Sequence, residues 1–112
     1  MATKEEISMV GFALVAYAGD ARTAALKALD AAESGDFTTA ADKVKEARND
    51  INDAHNQQTK ILSEEAGGAN MDVTFIMVHG QDTLMTTMLL IDETEYLIRM
   101  LKRIKVLEDK SK

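Results

Sequence analysis

Two side chains in the last third of the chain could do chemistry: His79 and Asp82, which lie three residues apart. A neutral imidazole can bind a metal ion, exchange a proton or attack as a nucleophile. A carboxylate prefers a hard cation such as Mg²⁺. Taken by itself, this pair is a weak motif. A lone histidine in an apolar helix is more often a hydrogen-bonded core residue, and the same holds for His55.

The composition predicts that helices position these side chains. The chain has 112 residues, which suits a single domain over 1–112, and it lacks both proline and cysteine. Without cysteine, neither a disulfide framework nor a thiolate metal site can form. Glycine occurs only six times, too few turn residues for a β-sandwich or barrel. Alanine, leucine, methionine, lysine and glutamate favour helices, so the predicted fold class is all-α.

Turn-forming clusters at 33–36 and 66–70 divide the chain into three segments, each long enough for a helix. Thr3 and Glu6 predict a capping box, in which the hydroxyl and the carboxylate each satisfy a backbone N–H. Asp36 is expected to cap the second helix. The third helix is expected to run from Met71 or Asp72 to about Leu107. Together these segments predict a three-helix antiparallel bundle.

The first two helices each carry one inward stripe. In the first, the stripe becomes alanine-rich, and two glycines, Gly11 and Gly19, cost about 1 kcal/mol each relative to alanine. We therefore predict that both glycines allow close packing of a neighbouring helix. The expected stripes are Ile7, Val10, Leu14, Tyr17, Ala18, Ala21, Ala25 and Ala28 in the first helix, and Phe37, Ala40, Val44, Ala47, Ile51, Ala54, Gln58 and Ile61 in the second.

The third helix is apolar or small nearly all the way round between residues 73 and 91. Such a helix is buried on all sides, which two other helices cannot achieve. The sequence therefore predicts that further copies of the chain bury the rest of this helix. Two seams are visible: Phe75, Val78, Asp82, Met85 and Leu89 form the first, and Ile76 or Met77, Gly80, Leu84, Thr87 or Met88, and Ile91 form the second. One seam is expected to pack on the first two helices and the other on its own copies.

Asp82 lies in the middle of the first seam. If that seam is an interface, the aspartates of all subunits converge in an apolar interior, which is costly. Protonation, ordered water or a bound cation such as Mg²⁺ would each relieve this. The alternative is that Asp82 faces solvent or a single partner.

The net charge of −6 argues against nucleic acid or an anionic membrane surface as partner, because both attract positive charge. No hydrophobic run is long enough for a signal peptide or a spanning helix. We therefore expect a soluble, cytoplasmic protein.

Three stretches, 5–22 (EEISMVGFALVAYAGDAR), 52–59 (NDAHNQQT) and 78–85 (VHGQDTLM), resemble the IIA components of the lactose/cellobiose class of the bacterial sugar phosphotransferase system. The resemblance covers nearly the whole chain in matching order. It implies a three-helix subunit that assembles into a homotrimer. It also implies that His79 accepts a phosphoryl group, through Nε2, and that Asp82 clusters around a divalent cation, Mg²⁺, at the trimer axis.

The resemblance further implies the partners. The donor would be the phosphorylated carrier HPr, and the acceptor a cysteine on a IIB component, beside the membrane-bound IIC component. Gln81 is close to His79 in sequence, so it is a candidate to hydrogen-bond the phosphate or the imidazole. The disaccharide, whether lactose, cellobiose, chitobiose or another, is chosen by the IIB and IIC components and is not encoded here.

The chain departs from the family pattern at two positions near the expected site. Thr83 replaces a second histidine that commonly follows the aspartate, and Gly80 replaces a common alanine. Either the Thr83 hydroxyl assists transfer or the protein does without such help.

Two other functions compete with that of a phosphocarrier. One is a structural helical trimer or adaptor, in which His79 and Asp82 only set the register of the helices, and the other is a carboxylate metalloenzyme. The latter ranks last because no Glu-x-x-His occurs.

Overall fold

A computed structural model describes residues 2–112, and within them it contains three α-helices and no strand. Helix α1 spans Lys4–Glu33, α2 spans Phe37–Ala66 and α3 spans Phe75–Lys110. The bundle measures 63 × 20 × 19 Å. Short connections make successive helices antiparallel. The prediction of an all-α subunit with three helices is therefore confirmed.

Both predicted caps are present at the first two helices, although one differs in detail. The Thr3 hydroxyl accepts the Glu6 N–H at 3.1 Å, as predicted. The Glu6 carboxylate, however, accepts from the Thr3 hydroxyl at 3.3 Å rather than from a backbone N–H. At α2, the Asp36 carboxylate accepts from the backbone N–H and the hydroxyl of Thr39. These hydrogen bonds lower the pKa of Asp36.

The start of the third helix was predicted wrongly. Helix α3 begins at Phe75 rather than at Met71 or Asp72, because Thr74 is its N-cap: its backbone is extended and its hydroxyl accepts the Met77 N–H at 3.2 Å. A threonine in this position stops the helix from extending toward the N-terminus. At the other end the helix reaches Lys110, beyond the expected Leu107.

The core is narrow because α1 contributes mainly alanine to it. Helix α1 packs extensively on both other helices, whereas α2 and α3 contact each other much less. One predicted stripe residue of α1 differs, because Tyr17 is exposed. Val10 is half-buried and packs against the core, as Phe37, Val44 and Ile61 of α2 do. The buried residues of α1 are Ile7, Gly11, Leu14, Ala18, Ala21, Ala24, Ala25, Ala28 and Ala32, and those of α2 are Ala40, Ala47, Ile51, Ala54 and Gln58.

Helices α1 and α3 touch backbone to backbone where Gly11 meets Gly80. A Cβ atom at Gly80 would lie 2.8 Å from the Gly11 carbonyl oxygen, and one at Gly11 would lie 2.9 Å from the Ile76 carbonyl carbon. Close packing at Gly11 is therefore confirmed. The same prediction is wrong for Gly19, where a Cβ would meet nothing within 4 Å, because that residue lies on the exposed side of α1.

Candidate functional site

The two seams predicted for α3 face opposite ways. The second seam faces α1 and α2, with Met77, Gly80, Leu84, Thr87 and Ile91 all buried. The first seam is exposed along its whole length: Phe75 is 91% exposed, and Val78, Met85 and Leu89 are each more than half exposed. One face of α3 is thus partnered within the subunit, and the other is apolar and uncovered.

This exposed stripe continues to the end of α3 at helical spacing. Its further apolar members are Tyr96, Leu97, Met100, Ile104 and Leu107. Contiguous exposed apolar surface of this extent marks an interaction surface rather than an ordinary solvated face. Asp82 is the acidic residue in its first half.

Asp82 is exposed in the single chain, and its carboxylate has no hydrogen-bond or ion-pair partner among residues 2–112. Within the same residues no group of three or more histidine, aspartate or glutamate side chains is placed to hold a metal ion. A single subunit therefore offers no ready-made set of three such ligands for a cation at Asp82. A complete oxygen-ligand set there requires the Asp82 side chains of further copies, or water.

His79 lies beside this stripe, one residue before the Gly11–Gly80 crossing. It is exposed, and so is His55 on α2. In the single chain the interpretation of either histidine as a core residue is therefore wrong. None of the hydrogen bonds or ion pairs found across residues 2–112 engages the His79 imidazole, so both ring nitrogens are without a protein partner in that range.

The Thr83 hydroxyl is committed to the helix backbone. It donates to the His79 carbonyl oxygen at 2.8 Å, and one turn later the Thr86 hydroxyl donates to the Asp82 carbonyl oxygen, also at 2.8 Å. Threonine commonly bonds the preceding turn of a helix in this way. A hydroxyl has a single proton, so in this arrangement Thr83 cannot also donate to a group on His79.

Gln81 lies on a different side of α3 from His79. Positions i and i+2 of a helix are separated by roughly 200° about its axis, so their side chains do not face each other. Consistent with this, the Gln81 side chain points toward α2, where its Oε1 accepts from Nε2 of Gln58 at 2.5 Å. The single chain therefore keeps the two predicted catalytic side chains apart.

Gln58 is the polar residue whose role the sequence did not reveal. It was assigned to the inward stripe of α2, and it is indeed buried. The available signal was its type, because a glutamine in an otherwise apolar stripe needs a hydrogen-bond partner. Which residue of α3 supplies that partner depends on how the two helices are rotated against each other, and local sequence does not encode this.

A cavity of about 280 Å³ opens next to Gln81, between the end of α2 and the start of α3. Its wall is mainly apolar, and Glu65, Asp72 and Gln81 supply its polar groups.

Helices α2 and α3 are also joined by Arg48, whose Nη2 lies 2.8 Å from Asp92 Oδ1 and 3.1 Å from Glu95 Oε1. No helix in the part of the chain that the structure describes is long and apolar enough to cross a membrane.

Comparison with known proteins gives one consistent result. The family described as "PTS system, Lactose/Cellobiose specific IIA subunit" matches residues 9–102. The PTS system lactose-specific EIIA component of Lacticaseibacillus casei is 80% identical, covering 98% of both chains. The crystal structure of PtcA from S. mutans superposes with a TM-score of 0.88 at 34% identity, covering 90% of this chain and 99% of that one. A IIA(Chitobiose) chain from Escherichia coli, solved in complex with HPr, superposes with a TM-score of 0.78 at 36% identity. The match covers 89% of this chain and 97% of that one.

Proposed function

The chain belongs to the lactose/cellobiose-specific IIA family of the phosphotransferase system, and from this we propose that it is a phosphocarrier that takes a phosphoryl group from phospho-HPr on His79 and passes it to a IIB component. The observation that carries the proposal is the exposed, unengaged imidazole of His79 within the matched range. The complex of a related IIA chain with HPr supports the choice of donor.

The chemistry needs little from the protein beyond a nucleophile and its position. The lone pair of a neutral imidazole nitrogen of His79 attacks phosphorus, and a new N–P bond forms. The N–P bond of the donor's phosphohistidine breaks, and its electron pair returns to the donor nitrogen. In the second step a thiolate of the IIB component attacks the same phosphorus and a new S–P bond forms. The N–P bond at His79 breaks, and its electron pair returns to the His79 nitrogen. We propose that both steps occur in the cytoplasm, beside the membrane-bound IIC component.

We propose that the working unit is a homotrimer built on the exposed stripe of α3. Three-fold symmetry makes the three copies of α3 parallel, with Asp82 at a central position of the seam. His79 and Gln81 then flank the seam on opposite sides, as the e and g positions of a heptad do, and such positions of neighbouring helices face each other. The trimer would therefore bring Gln81 of one subunit toward His79 of the next, which the single chain does not do.

The same arrangement accounts for the acidic residue in an apolar stripe. Three Asp82 carboxylates at one level would repel one another, and a hard divalent cation such as Mg²⁺ suits an all-oxygen ligand set. When bound, the ion would neutralise the carboxylates and hold the three helices in register. No step of phosphoryl transfer is assigned to it.

The test is the intact mass of the protein after incubation with phosphoenolpyruvate, enzyme I and HPr. The wild type and a His55→Ala variant should each gain one acid-labile phosphoryl group, and His79→Ala should gain none. His55 is the matched control because it is the other exposed histidine. If the wild type gains no phosphoryl group while enzyme I and HPr are shown to be active, a purely structural trimer or adaptor would be favoured. The exposed stripe alone fits that function equally well.

A further inference from the structure

Gln58 is the only buried polar side chain on α2 among the described residues, with 8% of its surface exposed. It follows Ala54 and precedes Ile61 in the inward stripe. Burial of an amide is unfavourable unless its polar atoms are hydrogen-bonded. The bond from Gln58 Nε2 to Gln81 Oε1 meets this requirement and connects the interior of α2 to the segment that holds His79 and Asp82.

This hydrogen bond has a direction, and the direction determines what Gln81 can offer. A glutamine amide has an oxygen that only accepts and an NH₂ group that only donates. Because Gln58 donates, the oxygen of Gln81 is turned toward α2. The NH₂ group of Gln81 is then left for other partners, and the residue is only half-buried, at the edge of the cavity described above.

We infer that Gln58 is a positioning residue for phosphoryl transfer. It turns the Gln81 amide so that N–H donors, and not an oxygen, are presented to the phosphoryl group on His79 of a neighbouring subunit. The inference rests on the proposed function. A phosphoryl group carries acceptor oxygens and negative charge, so it is stabilised by a donor and repelled by an oxygen. A donor that is already oriented needs no rearrangement when the charge arrives.

Three substitutions at Gln58 separate this role from simple structural support. In Gln58→Lys the new group only donates, so the Gln81 oxygen stays inward. In Gln58→Glu the ionised group only accepts, so Gln81 must turn round and present its oxygen. In Gln58→Met there is neither donor nor acceptor, and Gln81 is free to rotate. Lysine and glutamate both place a charge in a buried position, so stability should fall in both.

The measured quantity is the rate of phosphoryl transfer from phospho-HPr, with the melting temperature of each variant recorded beside it. We expect the transfer rate of Gln58→Lys to lie within about threefold of the wild-type rate. The transfer rate of Gln58→Glu should be lower by about tenfold to a hundredfold, which is the usual effect of losing a hydrogen bond to a charged group. Gln58→Met should lie between them. The same three substitutions at Gln57, the adjacent half-buried glutamine, should leave the rate unchanged.

The inference would be overturned if the rates followed the melting temperatures or were all equal to the wild type. A reversed order, with the glutamate variant fast and the lysine variant slow, would mean that Gln81 presents its oxygen. Failure of the proposed function is distinguishable, because wild-type protein would then gain no phosphoryl group at all.

If the charged variants do not fold, the wild type still provides a test. In a ¹⁵N-resolved spectrum the side-chain NH₂ of Gln58 should be protected from exchange with water, and that of Gln81 should exchange rapidly. The opposite pattern would refute the inference.

Discussion

Replacing Gly11 with alanine should destabilise the subunit, whereas the same replacement at Gly19 should stabilise it. Both glycines lie within α1, so alanine removes the same helix-propensity penalty at each, about 0.5 to 1 kcal/mol. They differ in what the new methyl group meets. At Gly19 it meets nothing within 4 Å, and at Gly11 it meets the backbone of Ile76 and Met77 at 2.9 Å.

The magnitude follows from that distance. Ordinary contacts of a Cβ atom begin near 3.4 Å, so α1 and α3 would have to separate by about 0.5 Å at their crossing. Overpacking of this kind costs about 1 to 3 kcal/mol. Subtracting the propensity gain leaves Gly11→Ala less stable than the wild type by about 0 to 2.5 kcal/mol, with the middle of that range slightly above 1 kcal/mol. Gly19→Ala should be more stable by about 0.5 to 1 kcal/mol.

The assay is thermal and urea unfolding of both variants and the wild type at one protomer concentration, because assembly into the proposed trimer would make the melting temperature depend on concentration. With about 4 °C per kcal/mol for a chain of this size, Gly11→Ala should melt several degrees below the wild type and Gly19→Ala a few degrees above it. Equal shifts for the two variants would refute the reasoning, since only the contact at Gly11 distinguishes them.

Three further predictions concern the charged and polar groups. If the proposed trimer and its cation are correct, Asp82→Leu should give a trimer that needs no divalent cation, because a packed apolar layer replaces charge that the trimer would bury; sedimentation with and without a chelator tests this, and a variant found only as monomer contradicts it. Thr83→His should leave phosphorylation intact, because only a hydroxyl bonded to the helix backbone is lost; complete loss of transfer in the mass assay would argue for an essential Thr83. Burial, and then repulsion by Asp20, Glu46 and Asp53, raises the pKa of Asp50. The folded chain thus binds this proton more tightly than the unfolded chain, so ionised Asp50 lowers stability at neutral pH and the penalty disappears as the pH falls through its pKa. Asp50→Asn should therefore stabilise at pH 7 and have little effect near pH 3 in urea melts; an equal gain at both pH values would exclude this explanation.

The parts of the fold that depend on near neighbours in sequence were predicted well. The Thr3 and Asp36 caps, the stripe of α2 and the division of α3 into an inward and an outward seam all follow from residue type at helical spacing. The wrong start of α3 has the same local origin, because the cap at Thr74 lies three residues inside an apolar run that continues the helical pattern. The type of residue 74 is the local signal for the true start, because threonine is a preferred N-cap residue.

What the sequence could not supply are the contacts that depend on how one helix is rotated against another. Gly11 and Gly19 look alike in the chain, yet only Gly11 meets a neighbouring backbone. Gln58 and Gln81 are 23 positions apart, and their bond depends on the crossing of α2 and α3. His79 and Gln81 look close in sequence, but the turn of the helix separates them. Each of these is a property of tertiary geometry that a single periodic pattern does not contain.

The unequal packing of the three helices has a consequence for the order of events during synthesis. Helices α1 and α2 are joined by only three residues and share an extensive interface, so they form a hairpin of mostly local contacts, which fold rapidly. In chain order, this hairpin is synthesised before α3. Helix α3 follows an eight-residue connection and docks mainly on α1. We therefore expect the helix that carries His79 to dock last of the three, and in the proposed trimer its outer face would meet other chains after its inner face has packed on α1.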